Sequence, residues 1–142
     1  MTSHPDTDTT PALAASQASW RAVNAGDRAG WLALMADDVL IEDPIGKAPT
    51  NAEGTGIRGK AGVGVFYDET IGKTTARSVR AEETFPSSSP DEIAHILNLH
   101  FEFEGGFTVD VRGVFTYKVN EAGLLTNLRG YWNMDSMKVV KA

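Results

Sequence analysis

The sequence predicts an α+β fold, with helices first and an antiparallel sheet after them. Three observations lead there. A chain of 142 residues has room for one domain and one core. Apolar residues recur at helical spacing in segments up to Ile71, and after Gly72 the pattern changes to alternation in long segments separated by short turn sequences. Helices followed by a run of strands is the α+β order.

Residues 1–9 are polar beyond Met1 and read as a flexible tail, and residues 10–142 read as a single domain. Thr10 and Pro11 form an N-cap and first-turn pair. Leu13, Trp20 and Val23 then recur at helical spacing, and Gly26 ends the helix. Asp27 caps a second helix with Trp31, Leu34 and Met35 on one face, after which "DDVLIEDP" reads as extended. Pro44 disfavours the α region for Asp43, so the strand ends on that carboxylate. Residues 47–59, rich in Gly, Pro, Thr and Asn, read as a loop, and a third helix carries Val63, Phe66, Tyr67 and Ile71. Strands are expected over 76–86, 92–104, 107–119 and 123–135, a four-stranded antiparallel meander joined by "SSSPD", "EGG" and "NEAG".

Alternation assigns faces. Ile93, His95, Leu97, Leu99, Phe101 and Phe103 share one side of their strand, with Asn98, His100, Glu102 and Glu104 opposite. Phe107, Val109, Val111, Gly113, Phe115 and Tyr117 form the apolar side of the next, opposite Asp110, Arg112 and Lys118. A sheet curling over amphipathic helices encloses an apolar pocket wherever the helices do not fill it.

Composition narrows the function. There are 13 basic and 19 acidic residues, a formal charge of −6, which argues against nucleic-acid or anionic-membrane partners. Cysteine is absent, which excludes disulfides, thiolate metal sites and a thiol nucleophile. With no basic leader and no run of about 18 apolar residues, the sequence reads as that of a soluble, cytoplasmic protein.

Several motifs are weaker than they look. "GTGIRGKA" approaches a phosphate-binding loop, but Ala61 stands where a magnesium-holding hydroxyl is required, so it reads as a loop entering a helix. His95 and His100 fall on opposite faces of a strand and cannot share a metal, and His95 reads as a hydrogen-bonded core residue. Asp110 and Arg112 read as an exposed or interface ion pair, and Ala36–Asp38 as a solvated helix end. In "IEDPIG", Glu42 and Asp43 alternate, so only one can face the pocket. A carboxylate at the mouth of an apolar pocket is a stronger base, because desolvation disfavours its charged form.

The stretch "NAGDRAGWLALMADDVLIEDPIG", with "VFYDETIG" after it and "LRGYW" near the end, resembles the Δ5-3-ketosteroid isomerases of the nuclear transport factor two and SnoaL-like superfamily. The chain is also similar along nearly its whole length to mycobacterial ketosteroid isomerase homologues. The resemblance implies a cone-shaped, curved mixed sheet wrapped around three helices, open at one end, in a homodimer. It implies Asp43 as general base, taking a proton beside a 3-keto group and returning it two carbons further on. Tyr67 and Trp132 are implied in the pocket wall, and Trp20, Phe66, Val111, Phe115 and Tyr131 complete the expected substrate-binding set. That family is a standard worked case of a base paired with an oxyanion hole made of a tyrosine and a protonated aspartic acid. Here Ser19 and Gly113 stand at the two donor positions, which leaves Tyr67, Tyr131 or Ser19 to replace the donors or else enlarges the pocket. Losing one such donor typically costs about 3–4 kcal/mol of transition-state stabilisation.

Three functions follow as expectations. The first is a steroid Δ5-isomerase acting on a steroid or similar apolar carbonyl compound. The second is a steroid-binding protein with weak or no catalysis, and the third a lyase, hydrolase or cyclase on the same scaffold. No cofactor is implied, since proton transfer within one carbon skeleton needs neither a hydride carrier nor a metal.

Overall fold

The computed structural model describes residues 9–141, so most of the expected tail lies outside the described residues. Helix α1 (Pro11–Ala25) starts where Thr10 Oγ1 accepts from Leu13 N at 3.2 Å and stops at Gly26, whose φ of 67° is the left-handed cap that glycine adopts without strain. Its inward face is made of Ala12, Ala15, Ser16, Ser19, Ala22 and Val23, small residues that let the helix lie close to the sheet. Helix α2 (Arg28–Leu32) is capped by Asp27, whose side chain accepts from Gly30 N at 2.9 Å. Leu34 and Met35 are not part of it. Met35 opens strand β1 (Met35–Glu42), so Ala36–Asp38 is strand, not helix end, with Ala36 buried and Asp37 and Asp38 exposed.

After a loop and the short β2 (Ile57–Arg58), helix α3 (Gly59–Glu69) begins directly on Gly59. Ile71 lies beyond it in a single 3-10 turn. The remaining strands are β3 (Thr74–Pro86), β4 (Glu92–Phe103), β5 (Phe107–Val119), β6 (Leu125–Tyr131) and β7 (Met137–Lys141). The expected strand over 123–135 is therefore broken, with Trp132 and the 3-10 turn Met134–Ser136 between β6 and β7.

The sheet runs β2-β1-β6-β5-β4-β3, with β7 also on β5. It is mixed, because β1 pairs parallel to β6 through Ile41↔Leu128 and Glu42↔Arg129. One edge of β5 is shared: β6 takes Val114–Val119 and β7 takes Phe107–Val111. β3, β4 and β5 have 13, 12 and 13 residues, roughly 40 Å of extended chain, and register shifts along β3 between Thr74 and Ala76 and between Ala81 and Glu83 mark where it bends. The curled sheet is not closed into a barrel, and its concave side packs on the helices through a core that includes Trp31, Met35, Val39, Leu97, Phe115 and Leu125. Among the described residues no helix is long and apolar enough to cross a membrane.

The outer face carries the charges. Asp110 pairs with His100 at 2.7 Å and Arg112 with Glu82 at 2.7 Å, so the expected Asp110–Arg112 pair does not form. Cross-strand neighbours are nearer than residues two apart on one strand: His100 lies directly opposite Asp110. No group of three or more potential metal ligands occurs among the described residues.

Candidate active site

Sheet and helices enclose a cavity of about 280 Å³. Its wall is overwhelmingly carbon, from Val23, Trp31, Ile41, Phe66 and Leu97 round to Phe101, Val111, Phe115 and Leu128. Exposed Glu69 is among the lining residues, so the cavity opens beside the end of α3.

Asp43 enters this cavity from the end of β1. Glu42, one residue earlier, points outward and accepts from Arg129 Nε at 3.0 Å, as alternation requires. The Asp43–Pro44 peptide is cis, and beyond it Ile45 N donates to Gly130 O at 3.0 Å, which keeps the chain against β6. Thr50 Oγ1 donates to the Asp43 carbonyl at 2.7 Å, fixing the backbone and leaving the carboxylate free to turn inward. Glycine at 130 is required there: a Cβ would lie 2.8 Å from Asp43 Oδ1, 2.8 Å from Phe115 and 3.0 Å from Trp132 Nε1.

The carboxylate has one hydrogen-bond partner among the described residues, Trp132 Nε1, which donates to Oδ1 at 2.6 Å. Burial pushes Asp43 up to about 6, against the opposing effect of that N–H. Asp43 is half-buried, its open side facing the cavity. At neutral pH it is an anion with a second oxygen unoccupied, a proton affinity above that of an ordinary carboxylate, and an apolar space in front of it.

Of the residues singled out from sequence, Ser19, Trp20, Asp43, Phe66, Val111, Phe115 and Trp132 line the cavity. Three do not. Tyr67 is buried one layer behind, its ring 5.5 Å from that of Trp31. Tyr131 is 51 % exposed on the outer face, under the guanidinium of Arg129. Gly113 sits where β6 leaves β5: a Cβ there would meet Tyr131 O at 2.9 Å and Trp132 Cβ at 3.3 Å, so its missing side chain makes room for the turn that aims Trp132 inward and adds no pocket volume. Neither Tyr67 nor Tyr131 can therefore replace a missing donor.

Tyr117 was not in the expected set, yet it lines the cavity and its hydroxyl accepts from Trp20 Nε1 at 3.0 Å. The alternation that put Val111 and Phe115 inward already placed it there. Ser19 Oγ similarly accepts from Trp31 Nε1 at 3.0 Å. Each of the three tryptophans thus donates its indole N–H to a polar side chain in the cavity wall.

Comparison with known proteins fits this geometry. Residues 17–128 match the SnoaL-like domain. The Δ5-3-ketosteroid isomerase from Mycobacterium sp. is 62 % identical, covering 92 % of this chain and 99 % of its own, with a TM-score of 0.90. RV0760c from Mycobacterium tuberculosis, in complex with estradiol-17β-hemisuccinate, is 68 % identical over 91 % of this chain and 98 % of its own, with a TM-score of 0.88. A computationally designed 17-OHP binder is 66 % identical over 92 % and 99 %, with a TM-score of 0.90. The match over most of the chain, on a curved sheet around three helices, makes this protein a member of the SnoaL-like domain family, with the nuclear transport factor two-like fold.

Proposed function

We propose that the protein is a steroid Δ5-isomerase, binding a flat apolar ketone and moving a double bond into conjugation with Asp43 as the base. The observation that carries this reading is the half-buried Asp43 carboxylate, raised to about 6 by burial and facing a cavity of about 280 Å³ with a hydrocarbon wall. Steroid ligands and isomerase activity among relatives more than 60 % identical support the substrate class.

Asp43 takes the proton from the carbon between the carbonyl and the double bond. The C–H electron pair becomes part of a dienolate whose charge rests on the carbonyl oxygen. Protonated Asp43 then gives the proton back to the far carbon, leaving the conjugated ketone and the original carboxylate. A base near pKa 6 is ionised at pH 7 yet holds the proton well enough to carry it, the compromise that general-base catalysis favours.

The test follows the ultraviolet absorbance of the conjugated product from a 5-en-3-one steroid. Asp43→Asn is expected to lower turnover by at least about 10²-fold while steroid binding is kept. Unchanged turnover would remove Asp43 from the mechanism. A second reading, a steroid binder without efficient turnover, is favoured by Ser19 standing where the family has its helix-one tyrosine. Saturable binding with conversion at the background rate would select it. The expected homodimer stays a proposal too, supported by exposed Val114, Tyr131 and Val140 and checked by sedimentation equilibrium.

A further inference from the structure

Removing a proton beside a ketone puts negative charge on its oxygen, so a cavity doing this chemistry needs a hydrogen-bond donor at that atom. Candidates are few in so apolar a wall. Trp132 N–H is committed to Asp43, and the hydroxyls of Thr50, Thr70 and Thr74 donate to the backbone carbonyls of Asp43, Phe66 and Ile71. Trp20 and Trp31 have given their N–H groups to Tyr117 and Ser19. What remains, among the described residues, is the hydrogen on each of those two hydroxyls.

We propose that Tyr117 receives the ligand's carbonyl oxygen, with Trp20 as its positioning residue; the inference rests on the isomerase reading and names the donor that reading lacks. The placement follows from register. Tyr117 pairs with Leu128 and Leu128 with Ile41, while Phe115 pairs with Gly130, beside Asp43. Tyr117 thus lies on the same concave face as Asp43, one pleat repeat further in, about 7 Å along the strands. Its ring packs edge-on against fully buried His95, with centroids 5.5 Å apart, so it forms part of the cavity floor. A ketone held there presents its neighbouring carbons toward Asp43.

Chemistry favours the phenol over Ser19. With a solution pKa near 10, a phenol is a far stronger acid than an aliphatic alcohol and donates more strongly to an oxygen that is becoming an anion. Burial pushes the Tyr117 phenol up, so it keeps its hydrogen across the working pH range. Accepting the Trp20 N–H polarises its O–H bond further and fixes the oxygen in place. During the reaction the phenol stays bonded to its hydrogen. It shortens its contact to the oxygen as the carbonyl π electrons move there, and Asp43 alone carries the transferred proton.

The test uses a 4-en-3-one steroid with a ¹³C-labelled carbonyl, whose stretching frequency falls when the oxygen accepts a strong hydrogen bond. Wild-type protein is expected to lower that frequency. Tyr117→Phe is expected to abolish the shift, lower turnover about 10²–10³-fold and change the Kd by less than about tenfold. Trp20→Phe, which keeps a ring and removes the N–H, is expected to restore part of the free-ligand frequency, and it reads the same contact should Tyr117→Phe not fold. Bound ligand with an unmoved carbonyl shift in both variants, or a shift lost only in Ser19→Ala, overturns the assignment and leaves the isomerase reading standing. Failure of wild-type protein to bind the steroid overturns both.

Discussion

Two ionisable side chains face inward from the same sheet, and burial disfavours the charged form of both, with opposite consequences. Asp43 is pushed up to about 6 and His95 down to about 4, each mainly by desolvation. They differ in what is left unused. His95 has both nitrogens engaged: Ser16 Oγ gives its hydrogen to Ala12 O at 2.8 Å and so accepts from Nε2–H at 3.1 Å, while the Thr84 hydroxyl donates to Nδ1 at 2.8 Å. Trp20 closes over the ring at 4.6 Å. Asp43 has, among the described residues, a single indole partner and open space beyond it. A shifted pKa is therefore no mark of catalysis by itself. An unused oxygen facing a cavity is what separates a base from a core residue.

The largest effect expected from testing this contrast is on stability, at His95. His95→Leu removes the N–H that fully buried Ser16 Oγ accepts and loses the edge contacts with Trp20 and Tyr117. A loss of about 3 kcal/mol is expected in denaturant titrations at pH 8. If steroid turnover instead falls at full stability, the histidine belongs to the site.

Asp43→Asn is expected to move stability the other way. Folding raises the Asp43 pKa from 3.8 to about 6, so folding disfavours the anion: the penalty is absent below about pH 4, grows between, and is complete above about pH 6. Asparagine escapes it and can still accept from Trp132. The variant should gain at most about 3 kcal/mol at pH 8 and nothing at pH 4. His95 has the opposite dependence. Its pKa is lowered from 6.5 to about 4, so the neutral ring's contribution is complete above pH 6.5 and is lost as the pH falls toward 4. In the wild-type protein the two slopes oppose each other over that range. Asp43→Asn leaves the histidine slope alone, and its stability should fall from pH 6.5 to 4 more steeply than that of the parent.

Much of this contrast could be read from residue spacing. Alternation placed His95 and Tyr117 inward and His100 outward, because each strand buries one face only. Glu42 and Asp43 had to part for the same reason, and Pro44 marked where the strand ends. Tyr131 and Trp132 are also adjacent, and the same rule argues against placing both in the wall, where the resemblance puts them; Tyr131 is the one that faces out. What spacing could not show was contact between distant segments. Gly113 has the inward parity, but its use depends on β6 leaving β5 at that point. Tyr67 is buried as its helical spacing implies, yet it packs on the Trp31 ring and is not among the residues that line the cavity. The Trp20–Tyr117 bond joins residues 97 apart in sequence, which no local pattern records.

The smallest and most selective effect is expected at Trp132. Its N–H stabilises the carboxylate form, holding the Asp43 pKa below the value burial alone would impose. Trp132→Phe keeps an aromatic wall and removes that donor, so the pKa should rise by about one unit. The acid limb of the kcat/KM profile, expected near pH 6 in the wild-type protein, should move to higher pH by that amount. Turnover at pH 6 would then fall about fivefold, while turnover well above pH 7 should change little, since the base is ionised in both proteins. A uniform loss at every pH with an unmoved limb would mean that the indole serves packing alone. A moved limb would show that Asp43, unlike His95, keeps its titration coupled to the reaction, because its one partner tunes the group and leaves the other oxygen free to act.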